Sequence, residues 1–169
     1  MRAEIYWIDE VPYGRLGIVG RPRAGDWLQD EVAAWKAEGI TDVVSLLEDH
    51  EIHDLGLNQE ADLVSAAGLS FQRFPIPDRG VPPSRTCAEA LWNELADGVR
   101  AGGSIAVHCR AGIGRSGLMA AGVLIQLGIT ADMAWQRISK ARGISVPDTD
   151  EQKQWVSAHP RRYRGDSIT

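Results

Sequence analysis

Ser104-Ile105-Ala106-Val107-His108-Cys109-Arg110-Ala111-Gly112-Ile113-Gly114-Arg115-Ser116-Gly117 decides how the rest of this 169-residue chain is read. A short apolar strand pattern runs into a histidine and a cysteine, a glycine-rich loop follows, and a helix pattern begins near Ser116. A loop that curls ahead of a helix aims successive backbone N–H groups at one point, where the helix dipole adds partial positive charge. Such a nest of amides suits a phosphate or another tetrahedral oxyanion. The backbone of Arg110, Ala111, Gly112, Ile113 and Gly114 would form the binding surface, with the glycines allowing the tight curl. Cys109 would sit at the floor, where a helix N-terminus and nearby cations favour the reactive thiolate. Arg115, six residues on, can return over the bound group and hold two equatorial oxygens in its planar fork. Ser116 can donate a hydrogen bond to Cys109 and ease its departure from a thiophosphate. A plain strand–turn–helix junction with a buried cysteine would need none of this decoration.

The pattern His108-Cys109-x5-Arg115-Ser116-Gly117 resembles the signature of the cysteine-dependent protein tyrosine phosphatase superfamily. The loop from Arg110 to Gly114 is similar to that of classical tyrosine phosphatases, but the chain is shorter than that subfamily and lacks its long tyrosine-recognition segment. It resembles the compact dual-specificity phosphatases and, among them, the kinase-associated phosphatase (cyclin-dependent kinase inhibitor 3) family, over roughly residues 16 to 155. The resemblance implies a single α/β domain over residues 1–169 with a central, mostly parallel sheet of about five strands and helices on both faces. The cradle would lie at the C-terminal end of a strand.

A hydrophobic fraction of 44% and a charged fraction of 24% fit one globular domain with a real core. A net charge of −5 argues against nucleic acid as a partner, which favours a basic footprint. No apolar run approaches the roughly 20 residues of a membrane span, and the N-terminus lacks the apolar core of a signal peptide. Two cysteines do not suggest a disulfide scaffold, and a nucleophilic Cys109 must stay reduced, so a cytoplasmic monomer without cofactor or metal is expected.

Along the chain, residues 4–8 and 15–19 read as strands around the turn Pro12-Tyr13-Gly14, and Arg21 and Arg23 as solvated loop charges. Asp26 with Gln29 reads as a capping box for a helix that Gly39 ends. A strand is expected at 42–47, then a polar loop at 48–54. His50, His53 and Asp54 match no strong zinc spacing, so that loop reads as solvated. A helix at 58–67 and a strand at 70–74 follow.

Pro75-Ile76-Pro77-Asp78-Arg79-Gly80-Val81-Pro82-Pro83 is a loop of restricted shape. On the residues alone, Asp78 is equally a general acid for a leaving oxygen and a turn-forming aspartate. The resemblance implies the acid, since the family carries it in such a loop upstream of the cysteine. Thr86 and Glu89 read as the capping box of a helix running to about residue 101. Cys87, Leu91, Leu95 and Val99 would share its buried face, which makes Cys87 a core residue; a redox disulfide with Cys109 depends on distance. Helices are expected at 118–127, from Thr130 to near Gly143, and from Thr149 to residue 158, with a flexible basic tail at 160–169. Gln152 either completes a capping box with Thr149 or, as the resemblance implies, orients a water.

These residues describe a phosphomonoester hydrolase of the tyrosine or dual-specificity type, acting on a phosphorylated protein or another phosphomonoester. Cys109 attacks phosphorus, Asp78 protonates the leaving oxygen, Arg115 and the loop amides hold the equatorial oxygens, and His108 orients Cys109. An ionised cysteine working with a protonated acid predicts a mildly acidic optimum. Arg79 and Arg110 would favour acidic flanks. The alternatives are a phosphoprotein-binding module without turnover, a phosphoinositide or RNA 5′-phosphatase on the same scaffold, and a sulfur-chemistry enzyme such as a rhodanese or arsenate reductase, which would not need Asp78.

Overall fold

The computed structural model describes residues 2–158. The tail expected at 160–169 lies outside the described residues. The elements in chain order are β1 (Ile5–Trp7), β2 (Arg15–Val19), α1 (Trp27–Ala37), β3 (Asp42–Ser45), α2 (Asp49–Asp54), α3 (Glu60–Ala66) and β4 (Ser70–Arg73). There follow α4 (Arg85–Arg100), β5 (Ser104–His108), α5 (Gly114–Gln126), α6 (Ala131–Arg142) and α7 (Asp150–Ser157).

The strands form one five-stranded sheet in the order β1-β2-β5-β3-β4. Only β1 runs antiparallel, to β2; the remaining pairs are parallel. This is the α/β architecture that the resemblance implies. Strand β5 sits in the middle and all five of its residues are buried, as expected for a parallel strand covered on both faces. Its last residue, His108, pairs with Val19 of β2 and Ser45 of β3, so the chain leaves the sheet at the C-terminal ends of three parallel strands.

Alternation along β5 sorts the site. Ile105, Val107 and then Cys109 face the larger core, built with Leu91, Trp92 and Leu95 of α4 and Leu118 and Met119 of α5. Ala106 faces the opposite layer, with Trp35 of α1 and Val64 of α3. His108 follows Ala106, its ring 6.3 Å from that of Trp35. Consecutive residues thus send the histidine and the cysteine to opposite sides of the sheet. Helix α5 is buried on nearly every side, as its apolar density predicts. At Gly122 the indole of Trp92 occupies the space a Cβ would need.

Several local expectations are corrected. Residues 49–54 are not a loop but helix α2, whose Glu51 carboxylate accepts from the Glu48 backbone N–H at 3.0 Å. Asp26 makes no capping bond; the chain enters α1 through a turn in which Leu28 N donates to Gly25 O at 3.1 Å. The cap of α4 is Ser84, whose hydroxyl accepts from Cys87 N, not Thr86. Cys87 is exposed and both thiols are free. Residues spaced by four drift about 40° per step around a helix. The buried face of α4 therefore runs through Ala88, Leu91, Trp92, Leu95, Ala96 and Val99, and Cys87 falls off it.

Candidate active site

The cradle is the connection from β5 to α5. Residue Ile113 stands at the N-cap of α5 and offers no side-chain cap, so the first N–H groups of the helix keep their donors for a ligand. None of the N–H groups of residues 110–113 donates to another backbone group among the described residues. The carbonyls of the loop are held on the other side. Arg142, at the end of α6, donates from Nε to Gly112 O at 2.8 Å and from Nη2 to Ala111 O at 3.4 Å, with its guanidinium 3.8 Å above the ring of Tyr6. His108 Nδ1 lies 3.3 Å from Cys109 O. A planar trans peptide points the next N–H away from each tethered carbonyl, which turns the amides of Arg110, Gly112 and Ile113 together. Gly112 adopts φ +71° to make the turn.

Asp78, Arg79, Cys109, Arg110, Ala111, Gly114, Arg115 and Asp148 line one pocket. Cys109 is 3% exposed at its floor. Arg115, 2% exposed, is clamped by Glu51: Nη1 donates to Oε2 at 2.7 Å and Nη2 to Oε1 at 2.8 Å. Nη1 also donates to Ile76 O at 3.0 Å, and Nη2 to Asp78 Oδ1 at 3.2 Å. Four of the five guanidinium hydrogens are therefore engaged, and Nε–H has no partner among the described residues. The edge left open to a ligand is thus Nε/Nη2, since the Nη1/Nη2 edge belongs to Glu51.

Burial alone would weaken the charge on Arg115, but the Glu51 hydrogen bonds and the negative charges at Cys109, Glu51 and Asp78 hold its pKa above the ordinary arginine value. Burial likewise raises the Glu51 pKa, yet the Arg115 and Glu48 N–H hydrogen bonds, with the charges of Arg115 and His50, bring it below the ordinary glutamate value.

The proline-rich loop that carries Asp78 closes one side. Gly80 N donates to Pro77 O at 2.8 Å, buried Ile76 N donates to Leu46 O at 3.1 Å, and Asp78 between them keeps its side chain 54% exposed. Gln152 N donates to Thr149 Oγ1 at 3.2 Å, the first half of a capping box. Its side chain does not complete the box: Nε2 donates to Gly80 O at 3.0 Å, and Oε1 is buried with no partner among the described residues. A Cβ on Gly114 would lie 2.8 Å from that Oε1 and would collide with the Asp148 carboxylate, so both acceptors face the start of α5. The expected hydrogen bond from Ser116 to Cys109 is not made; the Ser116 hydroxyl is buried and has no partner among the described residues. Arg79 and Arg110 are exposed and make no ion pair among the described residues. No group of three metal-ligating side chains forms among the described residues; His50, His53 and Asp54 lie along α2. No helix among the described residues is long and apolar enough to cross a membrane.

Glu51, Glu60, Arg142 and Asp148 escaped the sequence reading. The first could have been found from its offset of three from Glu48, the spacing of a capping box. The others carry no local signal.

A family model described as "Tc-R-P: Polymorphic toxin system, DSP-PTPase phosphatase" matches residues 17–129. The chain is 29% identical over 131 residues to cyclin-dependent kinase inhibitor 3 of Rattus norvegicus, covering 76% of this chain and 61% of the relative's length. It is 29% identical over 126 residues to the Leishmania major protein tyrosine phosphatase PRL-1, covering 69% of this chain and 70% of the relative. Among solved structures, a kinase-associated phosphatase with its catalytic cysteine replaced by serine superposes with TM-score 0.83 at 22% identity, covering 95% of this chain and 99% of that one. Tk-PTP in its active form superposes with TM-score 0.71 at 26% identity, covering 91% and 94%.

Proposed function

This chain belongs to the polymorphic-toxin-system DSP-PTPase phosphatase family, and from that premise we infer that it hydrolyses phosphomonoesters through a phosphocysteine. The observation that carries the reading is Cys109 at the floor of a pocket walled by Arg115, Asp78 and unclaimed loop amides. A phosphate dianion entering the cradle takes the amides and the Nε/Nη2 edge of Arg115. The Nη2 hydrogen it needs is the one now held by Asp78, so binding releases the Asp78 carboxyl toward the leaving group.

Cys109 Sγ then attacks phosphorus, and the P–O bond breaks as Asp78 gives its proton to the leaving oxygen. In the second step water attacks the phosphocysteine, Asp78 takes the water's proton, and Cys109 leaves as thiolate with inorganic phosphate. Gln152 Oε1 accepts a hydrogen of that water, a role supported by its burial without a partner among the described residues. The unpartnered Ser116 hydroxyl is available to the sulfur as negative charge returns to it. His108 and the loop amides position rather than react.

The substrate side follows from the same lining. Among the described residues no aromatic side chain lines the pocket, while the exposed Arg79 and Arg110 do. A phosphorylated protein whose phosphoresidue has acidic neighbours fits these charges. A thiolate nucleophile requires a reducing compartment, and we place the chain in the cytoplasm as a monomer.

The test is metal-free hydrolysis of p-nitrophenyl phosphate across pH by wild type, Cys109→Ser and Asp78→Asn. Turnover by wild type, none by Cys109→Ser, and a slowed Asp78→Asn whose profile lacks the basic limb are the expected results. A folded, reduced wild type that binds phosphopeptide without turning it over, equally before and after Cys109→Ser, would make the chain a binding module. Acidic phosphopeptides, phosphoinositide and RNA 5′-phosphate compared on the active enzyme then rank the substrate classes.

A further inference from the structure

We infer that Glu60 is a positioning residue for the nucleophile, acting through His108; this rests on the phosphocysteine reading above. Glu60 opens α3, on the face of the sheet opposite Cys109, and its carboxylate is 1% exposed. Its Oε1 lies 2.5 Å from Nε2 of His108, a ring with no exposure at all. The other ring nitrogen, Nδ1, lies 3.3 Å from the carbonyl oxygen of Cys109.

The hydrogen count is constrained. A carbonyl oxygen can only accept, so Nδ1 carries a hydrogen. At 2.5 Å the carboxyl oxygen and Nε2 share one more hydrogen, on whichever of the two atoms it is drawn. Written as carboxylate and imidazolium, or as acid and imidazole, the pair is neutral and keeps Nδ1–H on Cys109. Without the carboxyl group a neutral imidazole is free to carry its hydrogen on Nε2. The Nδ1 lone pair would then face the Cys109 oxygen and repel it. Partners on the far nitrogen of a histidine fix its tautomer in this way.

The consequence reaches the cradle through covalent geometry. Holding the Cys109 carbonyl on the His108 side turns the Arg110 N–H to the other. That amide is the first of the row that receives phosphate, and it is next in chain to the attacking sulfur. A carboxylate is costly to bury until a partner compensates it. The partner of this one is His108, the residue directly before the nucleophile. Glu51 on α2 stands in the same relation to Arg115, so two adjacent short helices each send one buried carboxylate to one working part of the site.

The experiment uses the full chain in a Cys87→Ser background, which removes the exposed thiol outside the pocket. Wild type, Glu60→Ala and Glu60→Gln are compared in three readouts: the rate of Cys109 alkylation by iodoacetamide at mildly acidic pH, kcat and KM for p-nitrophenyl phosphate, and the nitrogen–proton correlation spectrum of the His108 ring. Glu60→Ala is expected to lose roughly tenfold or more in alkylation rate and in kcat, the worth of one charge-assisted hydrogen bond, with KM changed little. Glu60→Gln is expected to recover most of both, because its amide N–H donates to Nε2 and leaves the hydrogen on Nδ1. A folded Glu60→Ala that alkylates and turns over like wild type overturns the inference. If Glu60→Ala does not fold, the wild-type spectrum decides, and a His108 without a hydrogen on Nδ1 overturns it. Alkylation does not require phosphate chemistry, so a protein that never hydrolyses phosphate but alkylates in this pattern fails the functional reading and not this one.

Discussion

Arg115 touches two carboxylates from two regions built on opposite principles. Glu51 comes from a capped helix, is 2% exposed, and grips both Nη atoms. Asp78 comes from a proline-bounded loop, is 54% exposed, and makes a single contact of 3.2 Å. The first is a fixed part of the wall: its oxygens accept from Arg115 and from the backbone of its own helix, so moving it leaves several buried donors without acceptors. The second can leave at little cost, because water replaces what it loses. One carboxylate is built to hold the arginine, and the other keeps access to solvent. The difference lies in burial and partner count rather than in the carboxyl group.

Breaking each region should therefore damage different observables. The largest effect expected is on rate: Asp78→Ala should lower kcat about 10²- to 10⁴-fold, the usual worth of a general acid. The loss should be greatest with alkyl phosphates, whose leaving oxygens need the proton most, and steady-state kinetics on alkyl and nitrophenyl esters would show it. Next comes stability: Glu51→Ala leaves Arg115 buried and uncompensated and should cost about 3–5 kcal/mol, measured by urea unfolding. A cost below ~1 kcal/mol would mean that the wall is not fixed. Packing between α4 and α5 gives a smaller figure: Gly122→Ala must displace the Trp92 ring and should cost about 1–3 kcal/mol, seen as a lowered urea midpoint.

Acid sharpens the contrast between the two carboxylates. The folded pKa of Glu51 lies below its ordinary value of 4.5. Its contribution is then complete above that value and is lost as pH falls through the folded pKa. Urea midpoints of wild type should decline on acidification below about pH 4.5, and Glu51→Gln should remove part of that slope. The smallest effect belongs to Asp78 itself: as an exposed partner it should contribute under about 1 kcal/mol, so Asp78→Asn should melt almost with wild type although its rate has collapsed.

Helix α2 apart, the order of strands and helices and the glycine-rich turn between β5 and α5 were legible in one sequence, because each rests on contacts between near neighbours. The glycine-rich turn, the uncapped start of α5, the caps at Thr130 and Thr149 and the alternation of β5 are decided within a few residues of chain. The misreadings were of the same local kind. Residues 49–54 looked too polar for a buried role, since a carboxylate-rich stretch is usually solvated. The cap of α4 was placed two residues late, at Thr86 rather than Ser84, and Cys87 was carried onto a buried face by a spacing that drifts around the helix.

What the tertiary structure alone decided is where buried charge finds its partner. Glu51 is 64 residues from Arg115, and Glu60 is 48 from His108. Gln152 meets Gly80 across 72 residues, and Arg142 meets the loop carbonyl of Gly112 across 30. The sequence by itself determined the turn after β5 and the Cys109 and Arg115 that it brings into one pocket. The positions of the groups that hold them follow from the stacking of α2, α3, α6 and α7 around the sheet. A buried charge is tolerable only where packing brings its counter-charge within hydrogen-bond reach.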